Sequence, residues 1–398
     1  MVSMTNHTHP GLARPLSRRH LVTRLAAAGF TAPVIASILR ESAFAQEATP
    51  SPRELLQSLG KSPELIQRGS TTFETPMSLV ADEFLTPNDL FFIRSNGPVS
   101  IDIPADEWRL AVTGLVNEEL ELTFDDLQGM PTRTLTAFLE CSGNSRSQFG
   151  ADPQQVEGTQ WGNGAIGNAE WTGVSLAEVL EMAGVQEGAV DVVSQGGDFP
   201  EMQRGLPLNV ATHPDVMLVW EMNGEPLPAP NGGPVRLLVP TWSGIASTKW
   251  VVGIDVIDHP FAGSFNTESY VFIDEDDLVL APVREVAPKS IIAAPAPDAT
   301  LPAGVQQISG FAWSGYAAIA TVEVSTDDGE TWQEAEIVEE AGPTSWVRYV
   351  YEWDAPAGEA VLASRAVDQR GLTQPLTDDW NAKGYLQNGV QRVPVTVG

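Results

Sequence analysis

Cys141 is the one cysteine in 398 residues, within Phe138-Leu139-Glu140-Cys141-Ser142-Gly143-Asn144-Ser145-Arg146-Ser147. A lone cysteine forms no internal disulfide, so its chemistry is that of a nucleophile or a metal ligand, both of which require the thiolate. Arg146 follows five residues later and can pair a thiolate environment with positive charge. Arg94 sits in Phe91-Phe92-Ile93-Arg94-Ser95-Asn96, an aromatic, strand-like setting where a guanidinium is costly without an anion. Of five histidines, His7, His9 and His20 lie near the N-terminus, leaving His213 and His259, each before a proline at a loop start. That supply excludes four-cysteine iron–sulfur clusters, a structural Cys/His zinc site and Cys-x-x-Cys-His haem attachment. Neither a Walker loop nor a Gly-x-Ser-x-Gly elbow occurs.

Gly162-Asn163-Gly164-Ala165-Ile166-Gly167 matches the spacing G-x-G-x-x-G. A dinucleotide fingerprint needs a strand just before it and a helix opening inside it. The next helical pattern waits until Ser175, so the run reads as a glycine-rich turn. Two chemistries then remain for Cys141. It is the nucleophile of a thiol hydrolase with His213 or His259 as base. Or it anchors a metal already chelated by a cofactor, with buried arginines receiving an anionic substrate.

The elements that must position these residues follow from periodicity. A short helical segment is expected around Arg53–Leu59, within a polar lead-in over residues 46–76. Trp108–Val112, Val190–Val193, Met217–Trp220 and Val235–Val239 read as strands. Thr123 caps a short helix from Phe124. Ser175 caps a helix through Ala183, with Glu178 completing a capping box and Gly184 stopping it. Between Ala281 and Ala303 the composition shifts to Pro and Ala, marking a boundary. Beyond it, Ala320–Ser325 and Trp332–Ile337 flank Asp327-Asp328-Gly329, an Asp-Gly hairpin turn. Trp346–Trp353 and Ala360–Val367 continue the alternation, predicting a β-sandwich of about 100 residues. The fold class expected is α+β, with residues 77–282 forming a mixed domain and 283–398 the sandwich.

The net charge of −30 and pI near 4.3 argue against nucleic-acid binding and for steering of a basic partner. Residues 1–45 differ: five arginines against Glu41 make them +4 and leave −34 for the rest. Ser17-Arg18-Arg19-His20-Leu21-Val22 is a twin-arginine pattern, followed by an apolar stretch Ala26–Leu39 and the cleavage-type triplet Ala43-Phe44-Ala45. That order describes a removable export signal. The apolar stretch, interrupted by Pro33, falls short of the about 20 residues a membrane span needs. No other run reaches that length. The expected location is extracytoplasmic or periplasmic.

The runs Cys141–Ser147 and Gln160–Gly167 closely resemble the sulfite oxidase family of molybdenum enzymes. So do Trp220-Glu221-Met222-Asn223-Gly224-Glu225-Pro226-Leu227 and Gly233-Pro234-Val235-Arg236. The likeness runs from about Met77 to the C-terminus. It implies a molybdopterin-binding domain followed by an immunoglobulin-like dimerisation domain, hence a homodimer. It implies that Cys141 ligates molybdenum held otherwise by a pyranopterin dithiolene. Arg94, Arg146, Trp161 and Tyr270 would line the oxyanion pocket. Arg94, Ser95, Asn96, Asp198, Asn231, Arg236, Ser247, Thr248 and Lys249 would hold the pterin and its phosphate. The activity implied is oxidation of sulfite to sulfate by oxygen-atom transfer.

Four positions depart from the family pattern. Glu157 stands where animal members carry a lysine, Asn96 and Asn231 replace histidines, and Lys383 takes the place of a pocket arginine. These departures bear on the substrate more than on the reaction type. His9-Pro10-Gly11 resembles a cytochrome b5 fragment without a domain around it. Electrons therefore pass to an external acceptor, expected to be a basic cytochrome c. The same resemblance admits a sulfane dehydrogenase subunit of thiosulfate oxidation, and a cofactor-free binding module is a further alternative.

Overall fold

The computed structural model describes residues 50–149, 156–273 and 278–398. The expected export signal over 1–45 lies outside them. The chain divides into two compact units, Met1–Leu55 and Leu56–Gly398. The helix expected near residue 53 spans Pro52–Ser58, and its start is held by reciprocal bonds between Ser51 and Glu54. All the described sheets lie in the second unit.

Two sheets form the first half of that unit. One runs in the order Leu120–Thr123, Arg109–Gly114, Val251–Ile257, Asp191–Gly196, Gln203–Pro207, with only the Arg109–Gly114 and Val251–Ile257 pair parallel. The other runs Glu225–Pro226, Met217–Met222, Ile166–Ser175, Arg133–Glu140, and Arg236–Leu238 pairs with Met217–Met222. Strand alternation turns Leu110 and Val112 inward, against Val174, Val192, Leu218, Leu237 and Ile254 in one core. Each such buried aliphatic side chain contributes about 1.5–3 kcal/mol.

The helix Leu176–Ala183 covers this core with Leu176, Val179, Leu180 and Ala183, and it ends at Gly184. Ser175 caps it by accepting from Ala177 N, but the expected Glu178 half of a capping box is not formed. The reciprocal box occurs instead at the other expected cap, between Thr123 and Asp126. Among the described residues this eight-residue helix is the longest, so the fold is mostly β with few helices, which gives the strand-rich part of the α+β expectation. The physical reason is that only Leu176–Ala183 presents a sustained 3.6-residue apolar stripe; the other described helices, Pro52–Ser58, Phe124–Gln128, Leu208–Ala211 and Ser264–Thr267, are shorter, and the remaining connections are turns and 3-10 segments.

The lead-in is more than a lead-in. Ile66–Gly69, Thr72–Glu74 and Ile93–Arg94 form a three-stranded sheet that delivers Glu74 and Arg94 to the same region.

The C-terminal half holds two further sheets. One is Lys289–Ala294, Gly304–Trp313, Val347–Ala355, Glu336–Glu339; the other is Ala299–Leu301, Arg392–Val397, Gly358–Asp368, Ile319–Ser325, Gln333–Glu334. Ile308 and Tyr349 from the first meet Val322, Val324, Leu362 and Val393 from the second, so the sheets pack face to face. The strand expected over Trp332–Ile337 splits at buried Ala335, pairing first with Ile319–Ser325 and then, in the other sheet, with Val347–Ala355. Asp327 organises the turn, accepting from Ser325 Oγ at 2.7 Å and Thr331 N at 2.9 Å. The Pro/Ala stretch read as a boundary contains a fully packed strand, Lys289–Ala294.

Candidate active site

Strand Arg133–Glu140 ends at Cys141, and the chain turns at once. Cys141 N donates to Ala165 O (2.8 Å), and Cys141 O accepts from Asn144 N (2.9 Å). Ser145 N and Ser147 N donate to Gly162 O and Trp161 O, at 2.7 and 3.1 Å. Asn144 ties the turn to both sides, donating to Glu140 Oε1 (2.9 Å) and accepting from Ala165 N (3.0 Å). Two runs that were separate in sequence thus lie side by side. The thiol of Cys141 is 8% exposed and faces two adjoining cavities.

The glycine run is explained by Glu74, which the sequence reading missed. Held by Arg68 at 2.6 Å, its carboxylate accepts from Gly162 N (2.8 Å) and Gly164 N (3.1 Å). A Cβ at position 164 would lie 1.9 Å from Thr75 O, so only glycine fits there. Strand Ile166–Ser175 follows without a helix, and no dinucleotide fingerprint forms.

The inner cavity, about 690 Å³ counting its mouth, is lined by Cys141 and by all nine residues expected to hold the pterin, together with Tyr270. Arg236 donates to Asn231 O (2.7 Å) and Ser247 O (2.9 Å), while its Nε has no partner. Asn231 donates to Phe92 O at 3.3 Å, and its Oδ1 is also unpartnered, as is Asp198 Oδ1. Lys249 donates to Ser95 Oγ and to Pro230 O (3.0 Å), and lies 4.1 Å from the Trp250 ring centroid. Ser247 Oγ accepts from Val239 N (3.0 Å), and Thr248 bonds Ser194 (2.7 Å).

Burial pushes Arg236 down to about 9. It pushes Lys249 well below the usual lysine range, with Arg236 adding repulsion. Burial also raises the Asp198 carboxyl. Neither Arg236 nor Lys249 reaches any described carboxylate within ion-pair distance. Buried cations of this kind are stable chiefly when an anion completes them.

The outer cavity, about 1110 Å³ with its mouth, shares Arg94, Cys141 and Tyr270 with the inner one and adds Arg146 and Trp161. Arg146 is buried, donating to Gly384 O (3.3 Å) and Thr159 O (3.1 Å), again with no described carboxylate partner. Its guanidinium is nested among Gly143, Gly158 and Gly384, where an added Cβ would come within 2.7–3.0 Å of the arginine. Trp161, 1% exposed, meets Phe92 edge to face at 6.4 Å. Arg94 donates to Asn96 Oδ1 (2.6 Å), to Ser95 O and to the Tyr270 hydroxyl (3.2 Å), and Tyr270 donates in turn to Asn96 Oδ1 (2.9 Å). Burial opposes the Arg94 charge, but Tyr270 and Cys141 outweigh it and hold its pKa above the usual value.

Glu157 and Lys383 also line the outer cavity, as their places in the motif imply. Two residues here escaped the sequence reading. Tyr385 stacks on Tyr270 at 5.3 Å and lies under Arg146 at 5.2 Å. Arg204, 1% exposed, donates to Phe265 O and Val283 O, bracing the segment that carries Tyr270. Tyr385 and Tyr270 are brought together by chain return over 115 residues, which leaves no local signal. Arg204 sits between Gln203 and Gly205 in a short strand, so its immediate neighbours give no sign of a buried cation.

His213 and His259 line neither cavity, and their side chains are 60% and 67% exposed. The nucleophile–base pair of a thiol hydrolase is therefore not assembled. Among the described residues no three His, Cys, Asp or Glu groups converge on a bare ion. A metal on Cys141 must bring its other ligands with it. The inner cavity suits such a carrier: unpartnered donors and acceptors for a heterocycle, and buried cations for a phosphate.

A thiol between a polar cofactor chamber and a cationic outer chamber defines a metal–cofactor oxidoreductase site. The family profile for the "oxidoreductase molybdopterin binding domain" matches residues 96–265, and that for the "Mo-co oxidoreductase dimerisation domain" matches 281–398. Mitochondrial sulfite oxidase of Rattus norvegicus is 36% identical over 349 residues, covering 81% of this chain. The chain spans 64% of that relative's length. Sulfite oxidase of Arabidopsis thaliana is 31% identical over 385 residues, covering 87% of this chain and 98% of its own. The crystal structure of the sulfane dehydrogenase SoxCD from Paracoccus pantotrophus superimposes with a TM-score of 0.77 at 32% identity, covering 88% of this chain and 91% of that one. The chain belongs to the sulfite oxidase family of molybdenum oxidoreductases, and its cofactor is molybdenum–molybdopterin.

Proposed function

We propose that this protein oxidises sulfite to sulfate and passes the electrons to an external acceptor such as cytochrome c. The observation that carries the reading is the outer cavity, where Arg94 and Arg146 flank Cys141 without a carboxylate partner. When bound, molybdenum on a pyranopterin dithiolene supplies two-electron oxygen-atom-transfer chemistry. Cys141 would ligate the metal, and Arg94, Ser95, Asn96, Asp198, Asn231, Arg236, Ser247, Thr248 and Lys249 would hold the pterin and its phosphate. Arg236 and Lys249 would meet that phosphate in charge-assisted contacts that offset the cost of their burial.

The protein's own part in turnover is electrostatic and positional. Arg94 and Arg146, with Lys383 at the rim, neutralise a dianion and aim it at the thiol-bearing wall. Tyr270 can redirect its hydroxyl proton from Asn96 to an incoming oxygen. Trp161 closes one side and keeps water from the reacting face. Glu157 subtracts charge, so a substrate less negative than the free dianion is tolerated better.

The sulfane dehydrogenase reading keeps the same site and is favoured by the likeness to SoxCD. The two separate in a steady-state assay on molybdenum-loaded protein with sulfite and ferricyanide or cytochrome c. Turnover is expected; inactivity with molybdenum present would remove sulfite as the substrate.

Residues 77–282 serve as the cofactor domain and 283–398 as an immunoglobulin-like domain that pairs two copies. The two-sheet packing and the dimerisation profile support that assignment. Light scattering at a mass of two chains is the expected result. Residues 1–45 act as a twin-arginine signal leading to the periplasm. Replacing Arg18 and Arg19 with lysine should leave unprocessed precursor in the cytoplasm.

A further inference from the structure

Next to Cys141 lies a buried ion pair, Glu140 and Lys289, that lines neither cavity. Glu140, the residue before the thiol, is 4% exposed, and Lys289 is 3% exposed. Lys289 Nζ reaches Glu140 Oε1 at 3.4 Å and donates to Ser145 Oγ at 2.8 Å. Trp313 Nε1 donates to Glu140 Oε2 at 2.8 Å, and Lys289 lies 5.8 Å from the Trp313 ring centroid. Both partners stand on paired strands of the C-terminal half, with Lys289 opposite Trp313 in register.

The pair brackets the thiol turn. Glu140 precedes Cys141, and Ser145 ends the turn in a left-handed conformation, φ 66°, that a serine adopts only when held. Ser145 also donates to Asn163 Oδ1 at 2.7 Å, which links the turn to the glycine run. One ammonium therefore reaches both ends of the six-residue segment Glu140–Ser145, in which the sulfur-bearing Cys141 comes second. Burial lowers the Lys289 pKa while Glu140 opposes that shift. A salt bridge placed only to join two domains could sit anywhere along their boundary. This one contacts the flanks of the single metal-ligating residue.

We propose that Lys289 is a positioning residue. From the C-terminal domain it sets the direction in which Cys141 presents its sulfur, and so tunes the metal site in the way that outer-shell partners of ligands do. Such partners typically change metal affinity or activity by about 10–100-fold. The domain matched by a dimerisation profile thereby becomes part of the active site's own framework. The inference rests on the molybdenum cofactor, and only its kinetic arm rests on the sulfite reading.

The test uses full-length, molybdenum-loaded protein in four forms: unaltered, Lys289→Arg, Lys289→Met, and the double variant Glu140→Gln/Lys289→Met. The double variant removes both charges together, so it remains foldable if Lys289→Met alone is not. Measured are the thermal midpoint, molybdenum and pterin content, the electron paramagnetic resonance spectrum of the one-electron-reduced metal, and kcat and KM with sulfite and ferricyanide. The expected result for the double variant is full cofactor content, a shifted resonance spectrum and a kcat about 10-fold lower or more at unchanged KM. Lys289→Arg should recover much of the original spectrum. A double variant with the original spectrum and kcat, changed only in thermal midpoint, makes the pair a domain fastener and overturns the proposal. If the unaltered protein does not turn over sulfite, the substrate reading fails, while the spectra still decide the role of Lys289.

Discussion

The two cavities meeting at Cys141 differ in what they leave unsatisfied. In the inner one the cations are tied down by backbone carbonyls from neighbouring turns, as Arg236 is by Asn231 O and Ser247 O. Its unsatisfied atoms, on Arg236, Asn231 and Asp198, are buried. The outer one shares Arg94 and Tyr270, which bond each other, and adds Arg146, held by Gly384 O and Thr159 O; none of its described lining side chains has a buried unpartnered atom, and its rim carries exposed Glu157 and Lys383. Groups that satisfy each other can let a ligand come and go. Orphaned buried groups need theirs to stay. The contrast separates a chamber for a resident cofactor from one for an exchanging substrate.

The sharpest attempt to break this division acts on the shared wall. Cys141→Ser should abolish turnover while the fold, read by circular dichroism, and much of the pterin content persist. Loss of folding would instead make Cys141 a packing residue. Next, Arg236→Met should empty the inner chamber, seen as loss of pterin and molybdenum by elemental analysis, with activity falling in proportion to content. Arg146→Gln should leave cofactor content intact and lower kcat/KM for sulfite about 10²–10³-fold, the scale of one preorganised charge contact. If Arg146→Gln lost cofactor and Arg236→Met did not, the assignment of chambers would be reversed.

Two smaller effects refine it. Tyr270→Phe removes a hydroxyl bonded to Arg94 and Asn96, worth about 1 kcal/mol, so kcat/KM should drop by less than about 10-fold at constant cofactor content. The other, on stability rather than turnover, concerns Lys61, which is buried and donates to Asn88 O and Phe91 O beside the inner chamber. Burial pushes its pKa down to about 7, below the unfolded value near 10.5. Between those values the unfolded chain holds the extra proton, so this group makes stability rise with pH from about 7 to 10.5. Lys61→Met should flatten that rise in thermal midpoint relative to the unaltered protein.

Most of the site was legible because its residues travel in short runs. Ser95-Asn96, Ser247-Thr248-Lys249 and Cys141–Ser147 each place several functional groups within one turn, so recognising the run recovers the group. Tyr270, located only by its distance from Trp250, also lands in the wall between the cavities. What escaped is whatever long-range packing supplies. Glu74 acts on Gly162 and Gly164 across about ninety residues, and Tyr385 on Tyr270 across 115. The helices are shorter than the α+β label suggests because isolated caps such as Thr123 start helices that have no apolar stripe to extend them. The Pro/Ala composition near residue 290 hid a buried strand, since alanine and isoleucine between prolines look like linker until a sheet covers them.

The glycine nest around Arg146 has a consequence for the protein's descent. Gly143 and Gly158 come from one half of the chain and Gly384 from the other, yet all three admit the same guanidinium. A recombination event that joined this cofactor half to a C-terminal half with alanine at position 384 would bring a methyl group to about 3 Å of that arginine. The seam between the halves is thus a poor place for shuffling. The two halves are expected to be inherited as one piece, even in relatives that never pair.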